Sequence, residues 1–404
     1  MKSLFAAVCL TVGHLLWAAE PPRFADVFVA GRDGFPAIRI PSLVVTRQGT
    51  LLAIAEGRAF PRADQANNKL ILKRSLDHGQ TWSAMQVIAD DGKNCLNNPC
   101  GVVDQNSGRV IVMFQSYPAD HKERDGSIKP GLDGPYIVRN YVVTSDDGGV
   151  TWSKMQDVTR STKHAEGVTI LASGPGIGIQ LHRSARYNGR ILIPFNEGPF
   201  GKWNVLAVFS DDAGKTWQLG DPAPGCCVTN AGGKITSLVN EVQMAELSDG
   251  SVMLNSRKWG GAAARKIAVN HDGGKSWSPI AEEPGLRDPG CMASIFSAAD
   301  GTGKHFLLYS GPDSARRENG TLHLSYDDGK TWPVQKVLWP GSFAYSVLTR
   351  LPDGDFGCLF ETDNCDRIVF ARFSLEWLTQ REESLPPTRP KASDGHPKAA
   401  TRGV

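Results

Sequence analysis

Apolar and polar positions along this chain alternate with a short period, and glycine, proline, asparagine or aspartate cuts the alternation every few residues. That rhythm predicts short strands joined by tight turns, not helices. Six hairpins can be marked out. They run from Ser42 to Glu56 around Gln48-Gly49, Gly101 to Gln115 around Ser107-Gly108, and Gly178 to Phe195 around Asn188-Gly189. Three more run from Glu241 to Ser256 around Asp249-Gly250, Met292 to Tyr309 around Asp300-Gly301, and Ser346 to Glu361 around Asp353-Gly354. After each of the first five comes a third strand, such as Leu70 to Arg74, Ile137 to Thr144 or Val205 to Phe209, and after the sixth comes Arg367 to Phe373.

The third strands end in one repeated turn, S-x-D-x-G-x-T-W, whose tryptophan begins a fourth strand. Its copies are Ser75 to Trp82, Ser145 to Trp152, Ser210 to Trp217, Asn270 to Trp277 with Asn270 and Ser276 substituted, and Ser325 to Trp332. An aspartate can accept turn amides, Asp146 being assigned that part in the second copy, and the glycine takes a backbone conformation closed to other residues. The spacing lacks the ligand-rich pattern and final Glu of a calcium loop. Phe209, Val269 and Leu324 stand where a phosphate loop needs its first glycine. A fivefold copy is architecture. The chain therefore reads as an all-β, six-bladed β-propeller of four-stranded antiparallel blades, with Phe24 to Val29 closing the last blade and Ser374-Leu375-Glu376-Trp377 a decayed turn.

Composition adds limits. With a formal charge of +2 the chain of 404 residues offers no broad basic field for nucleic acid, and its 43 Gly and 25 Pro suit a turn-rich fold. Lys2 followed by the apolar run Leu4 to Ala19 has the shape of a secretory signal, so residues 1–19 are expected to be a signal peptide, residues 20–385 the propeller and residues 386–404 a disordered tail. The expected location is secreted or periplasmic, with no membrane span once the signal is cleaved. Of the eight cysteines, Cys95 with Cys100 and Cys358 with Cys365 are near enough in sequence to be bridged, and connectivity is not deducible. The Cys95/Cys100 spacing has no matching His pair for zinc.

If first strands start at one face of the ring, called here the upper face, the repeated turns lie at the other and are scaffold. The upper positions then hold Arg39, Glu241 and Tyr345 before first strands, Arg58, Arg257 and Glu361 after second strands, and Asp64 and Arg317 in links to third strands. Four guanidinium groups converging on one mouth suit an anionic ligand.

With Arg39-Ile40-Pro41, Asn240-Glu241, Leu254-Asn255-Ser256-Arg257, Arg317-Glu318-Asn319-Gly320-Thr321, Ala344-Tyr345-Ser346 and Leu359-Phe360-Glu361 in that order, the chain resembles the sialidase (neuraminidase) family from Phe24 to Leu378. Ile38 stands where that family usually has an aromatic residue. The resemblance implies an exo-α-sialidase acting on sialylated glycoproteins, glycolipids and oligosaccharides without a redox or nucleotide cofactor. It further implies that Arg39, Arg257 and Arg317 hold the substrate carboxylate and that Glu361 orients Arg39. Asp64 would be the acid/base, Tyr345 the nucleophile, Glu241 its proton acceptor, and Arg58 a wall of the same subsite. A tyrosine nucleophile is the sialidase exception among glycosidases. Arg316 is an alternative to Arg317, and Glu246 to Glu241. Trp203 and Trp259 are placed near the mouth, either on the sugar's N-acyl group or in packing, while His182 and Phe343 read as structural. A glycan- or protein-binding propeller without catalysis, and a transferase or intramolecular variant, stand as alternatives.

Overall fold

The computed structural model describes residues 19–380 except residue 62, so the expected signal segment before Ala19 and the expected tail at 386–404 lie outside the described residues. Six sheets are arranged as six blades of a propeller. The first blade is typical: Ala37–Val45, Leu51–Arg58, Lys69–Ser75 and Gln86–Ala89 pair in that order. Leu51–Arg58 is buried at every position because blades cover both its faces, which is why its first five residues read as an apolar run before Glu56 and Arg58 reach the mouth. The sixth blade takes its outer strand, Arg23–Val29, from the beginning of the described chain, pairing it with Arg367–Phe373 and closing the ring.

The repeated turns join adjacent blades. In the first, the Asp77 carboxylate accepts the N–H of Thr81 at 2.9 Å, and Ser75 Oγ accepts that of Gly79 at 2.8 Å. Gly79 has φ +88, and a Cβ there would lie 2.1 Å from the Phe370 ring of the sixth blade. Trp82 meets the same ring edge-on at 5.6 Å. In the second copy Gly149 abuts Leu52 of the first blade, so each turn packs against the blade before it. The aspartate that closes that second turn is Asp147, which accepts the N–H groups of Val150 and Thr151 at 3.0 and 2.9 Å. Asp146, expected to do so, instead pairs with Arg109 on the surface. It occupies the variable position of the repeat.

Register separates turns from mouth. On the second strand of the first blade, Leu51 pairs with Ser75 of the turn while Arg58 stands at the opposite end. Seven strand steps put about 23 Å between them.

Three local features differ from the expectation. The third blade's inner strand is divided into Ile170–Ser173 and Ile179–Gln180, and Gly176–Ile177 between them pairs in parallel with the second blade. Residues 374–379 form a short helix, Leu375–Thr379, capped by Ser374. All seven cysteines among the described residues are free. Cys95 and Cys100 lie along one strand, opposite Tyr117 and Met113, which separates them beyond the roughly 7 Å Cα limit of a disulfide. Cys358 packs in the core under the fifth and sixth blades, whereas Cys365 packs against the cluster of the first, so they face apart.

Candidate active site

First strands carry bulges at their upper ends, between Arg39 and Ser42, Asn97 and Cys100, and Val239 and Val242. A bulge re-aims side chains and frees backbone groups for other partners. Ile40, a β-branched residue, is held at φ 61, a strained conformation that turns its N–H onto Glu361 Oε1 at 2.8 Å. Asn98, at φ 55 in the second blade, donates its N–H to Glu56 Oε1 at 2.7 Å.

Glu361 is wholly buried at the end of a second strand and accepts Arg39 Nε at 3.0 Å and Nη2 at 2.8 Å. Burial works to raise its carboxyl pKa, but the Arg39 charge and the hydrogen bonds outweigh it and hold the value below the ordinary range. Arg257 donates from Nη1 to Glu241 Oε2 at 2.7 Å and to Tyr345 Oη at 3.0 Å. Tyr345 in turn donates its hydroxyl proton to Glu241 Oε1. The guanidinium carbons of Arg39 and Arg317 each lie 5.3 Å from the centre of the Tyr345 ring. One phenol is thus touched by three arginines and one carboxylate. Its pKa is raised well above the usual value, first by burial and then by Glu241, with the arginines opposing.

Arg317 differs from its neighbours. Arg39, Arg58 and Arg257 each have a carboxylate within 4.0 Å, whereas Arg317 donates from Nη2 to the Gly290 carbonyl at 3.0 Å and has no such carboxylate among the described residues. Arg257 Nε, also buried, has no hydrogen-bond partner among the described residues. Arg58 is held by Glu56 at 2.7 Å and reaches Asp64 Oδ1 at 3.1 Å. The Asp64 side chain is 46% exposed, the most open of the expected carboxylates, and lies on the rim of the cleft.

All eight expected site residues therefore meet at one end of the ring, with Trp203 and Trp259 on the cleft wall beside Phe200. Arg316 points away and its side chain is 81% exposed. Glu246 accepts the backbone N–H groups of His182, Arg183 and Ser184, and with His182 it lines a cavity of about 520 Å³ at the other end of the channel. That cavity is the larger, and its walls mix aliphatic side chains such as Val44, Val102 and Ile177 with polar ones such as Gln105 and Arg350. Phe343 stacks on Phe360 at 4.8 Å in the core.

Several cleft residues escaped sequence reasoning. Glu56 could have been found, since it lies two positions before Arg58 on one strand and so faces the same side. Asn97, Asn98 and Tyr117 need the bulge and the neighbouring blade to be known. Glu123 sits in a long polar loop with no spacing to mark it; burial first, then Asp64, pushes its pKa up to about 7.

Comparison with known proteins identifies the family. A model of the BNR repeat-like domain family matches residues 49–358. Sialidase-2 of Rattus norvegicus is 30% identical over 382 residues, covering 84% of this chain and 93% of that protein. The chain belongs to the sialidase family. A sialidase of Micromonospora viridifaciens is 36% identical over 366 residues, which cover 87% of this chain but 54% of that protein, so this member spans about half the length of that relative. Among solved structures, Hadza microbial sialidase Hz136 superposes with a TM-score of 0.76 at 29% identity, covering 86% of this sialidase-family chain and 68% of that one. An intramolecular trans-sialidase from Ruminococcus gnavus superposes at 0.75 with 19% identity, covering 88% of this chain and 98% of that one. That second likeness concerns the fold alone.

Proposed function

We propose that this chain is an exo-α-sialidase that hydrolyses terminal sialic acid from glycoproteins, glycolipids and oligosaccharides with retention, through a tyrosyl-enzyme intermediate. The observation that carries the reading is the Tyr345 phenol bonded to Glu241 and contacted by three arginines, one of which, Arg317, has no carboxylate partner among the described residues. A substrate carboxylate completes that set. Arg39, Arg257 and Arg317 bind it, and Glu361 orients Arg39.

Sialic acid carries its carboxylate on the anomeric carbon, where an anionic nucleophile would meet like charge. A neutral phenol avoids that repulsion. Tyr345 Oη forms the bond to the anomeric carbon while its proton passes to Glu241, and the bond to the leaving oxygen breaks as Asp64 protonates that oxygen. Asp64 then takes a proton from water as the water attacks the same carbon, and the tyrosine oxygen leaves with the proton returned by Glu241. Two displacements restore the starting configuration. Arg58, pinned between Glu56 and Asp64, walls the subsite and fixes the acid. A secreted or periplasmic location belongs to the same proposal and rests on the sequence of residues 1–19.

The test is proton NMR of the first product released from a sialyl-lactose. Free α-sialic acid appearing first supports the reading. The β-anomer first would refute retention, an anhydro sugar would make the reaction intramolecular, and no product at all would leave a glycan-binding propeller.

A further inference from the structure

Behind Arg257 and Arg317 stands a carboxylate that the proposed reaction does not use. Asp288 is only 1% exposed, in the link that follows the fourth blade's outer strand, Ala281–Arg287. Its Oδ1 accepts the N–H groups of Gly290 at 2.7 Å and Cys291 at 2.9 Å, closing a turn. Its Oδ2 accepts the N–H of Lys258 at 2.7 Å and Arg265 Nη1 at 3.0 Å. Arg265 is itself wholly buried and fixed by Asn255 Oδ1 at 2.6 Å and by the Cys291 carbonyl at 2.8 Å.

The two oxygens lead to two different arginines. The turn closed by Oδ1 presents the Gly290 carbonyl to Arg317 Nη2 at 3.0 Å, the one hydrogen bond that guanidinium makes among the described residues. The bond from Oδ2 pins Lys258, the residue directly after Arg257, while Ser256 Oγ donates to the Arg257 carbonyl at 3.1 Å. We infer that Asp288 is a positioning residue for the anionic ligand, setting the spacing between Arg257 and Arg317 so that both reach one carboxylate. Resting on the sialidase reading above, the inference adds the residue that aims two members of its arginine set. Four acceptor contacts use the capacity of an ionised carboxyl group, and an amide in its place cannot satisfy both sides. A shift of about 1 Å in one arginine is enough to spoil a shared bidentate site.

The obvious variant, Asp288→Asn, strands the buried Arg265 charge and can unfold the fourth blade. The double variant Asp288→Asn with Arg265→Gln leaves a neutral pair there, keeping the fold while still lacking the second acceptor. Both are compared with the wild-type chain after melting curves identify the folded ones. The probes are 2,3-dehydro-sialic acid and its methyl ester, with binding measured by calorimetry and hydrolysis of an aryl sialoside measured alongside. The expected result is a wild type that prefers the acid and a folded variant that has lost at least tenfold of that preference, its affinity for the ester changing less than threefold. A merely structural role would lower both affinities together or neither. A folded variant that keeps the wild-type preference overturns the inference alone. A wild type that hydrolyses nothing and prefers neither probe overturns the sialidase reading and this inference with it.

Discussion

Replacing Glu361 by glutamine isolates the electrostatic part of the cleft from its shape. In the wild type the carboxylate receives two guanidinium hydrogen bonds, at 3.0 and 2.8 Å, and a third from the Ile40 N–H at 2.8 Å. Glutamine is nearly isosteric and its oxygen can keep the Ile40 contact, but its NH2 group faces Arg39 and the charge is gone. Breaking a buried ion pair by removing one partner costs about 3–5 kcal/mol. Arg39 keeps 18% side-chain exposure, so water takes up part of the stranded charge, and a loss of about 2–3 kcal/mol is expected. Urea unfolding at pH 7 measures it as a lower midpoint at unchanged slope. The pH dependence is a second reading. Because the folded Glu361 pKa lies below the ordinary value, its stabilisation is present above the unfolded pKa, near 4.5, and is lost as pH falls through the folded value. The variant should therefore show a shallower acid limb. A loss under about 1 kcal/mol, together with an unchanged acid limb, would refute the claim that this pair holds Arg39.

Four other changes probe separate parts. Tyr345→Phe should leave the melting temperature near that of the wild type and reduce hydrolysis by orders of magnitude, and a fluorinated sialyl donor should label Tyr345 of the wild type; a labelled carboxylate instead would reassign the nucleophile. Asp64→Ala should cost roughly 100-fold or more on sialyl-lactose and far less on an aryl sialoside whose phenol leaves without a proton, equal losses removing Asp64 from the acid role. Asp147→Ala should lower the melting temperature by releasing the Val150 and Thr151 amides while the folded fraction keeps its turnover, whereas native melting with lost turnover would put the turns in the site. Glu123→Gln should remove a stability term that runs the other way from that of Glu361. Its folded pKa of about 7 is raised, so wild-type stability falls by up to about 3 kcal/mol between roughly pH 4.5 and pH 7, and equilibrium unfolding across that range should show the variant flat by comparison.

The fold was legible because its rule is local. Each turn copy fixes one third strand, and Gly79 or Gly149 can be recognised from sequence alone as a position where no side chain fits. Knowing the direction of one strand then assigns every loop to a face, which is how Arg39, Glu241, Tyr345 and Glu361 could be gathered from distant parts of the chain. What stayed hidden depends on departures from the repeat. The split inner strand of the third blade follows Gly174 and Pro175, where the regular hairpin pattern gives no warning of pairing with the second blade. Asp146 and Asp147 are adjacent and chemically alike; the S-x-D spacing points to Asp147, against the assignment of Asp146, and the hydrogen bonds show that Asp147 closes the turn. Asp288 lies outside any motif, and its importance comes from two contacts reached through backbone.

Under the proposed function, the charge arrangement favours an anion over a neutral sugar in this cleft. Arg39 is matched by Glu361, Arg58 by Glu56 and Asp64, and Arg257 by Glu241. Arg317 is held by a carbonyl, a dipole that fixes its position without cancelling its charge. Beside it Tyr345 stays neutral, because burial and the Glu241 charge outweigh the pull of the arginines toward phenolate. Ionising that phenol at rest would set a negative charge against Arg317 and weaken its hold on the carboxylate that the proposed function places there. In the proposed reaction the phenol loses its proton only as its oxygen bonds to carbon, so the positive charge remains available for the carboxylate until the ring itself becomes cationic. The substrate anion then stabilises that ring from within, and the arginines serve to keep it in place.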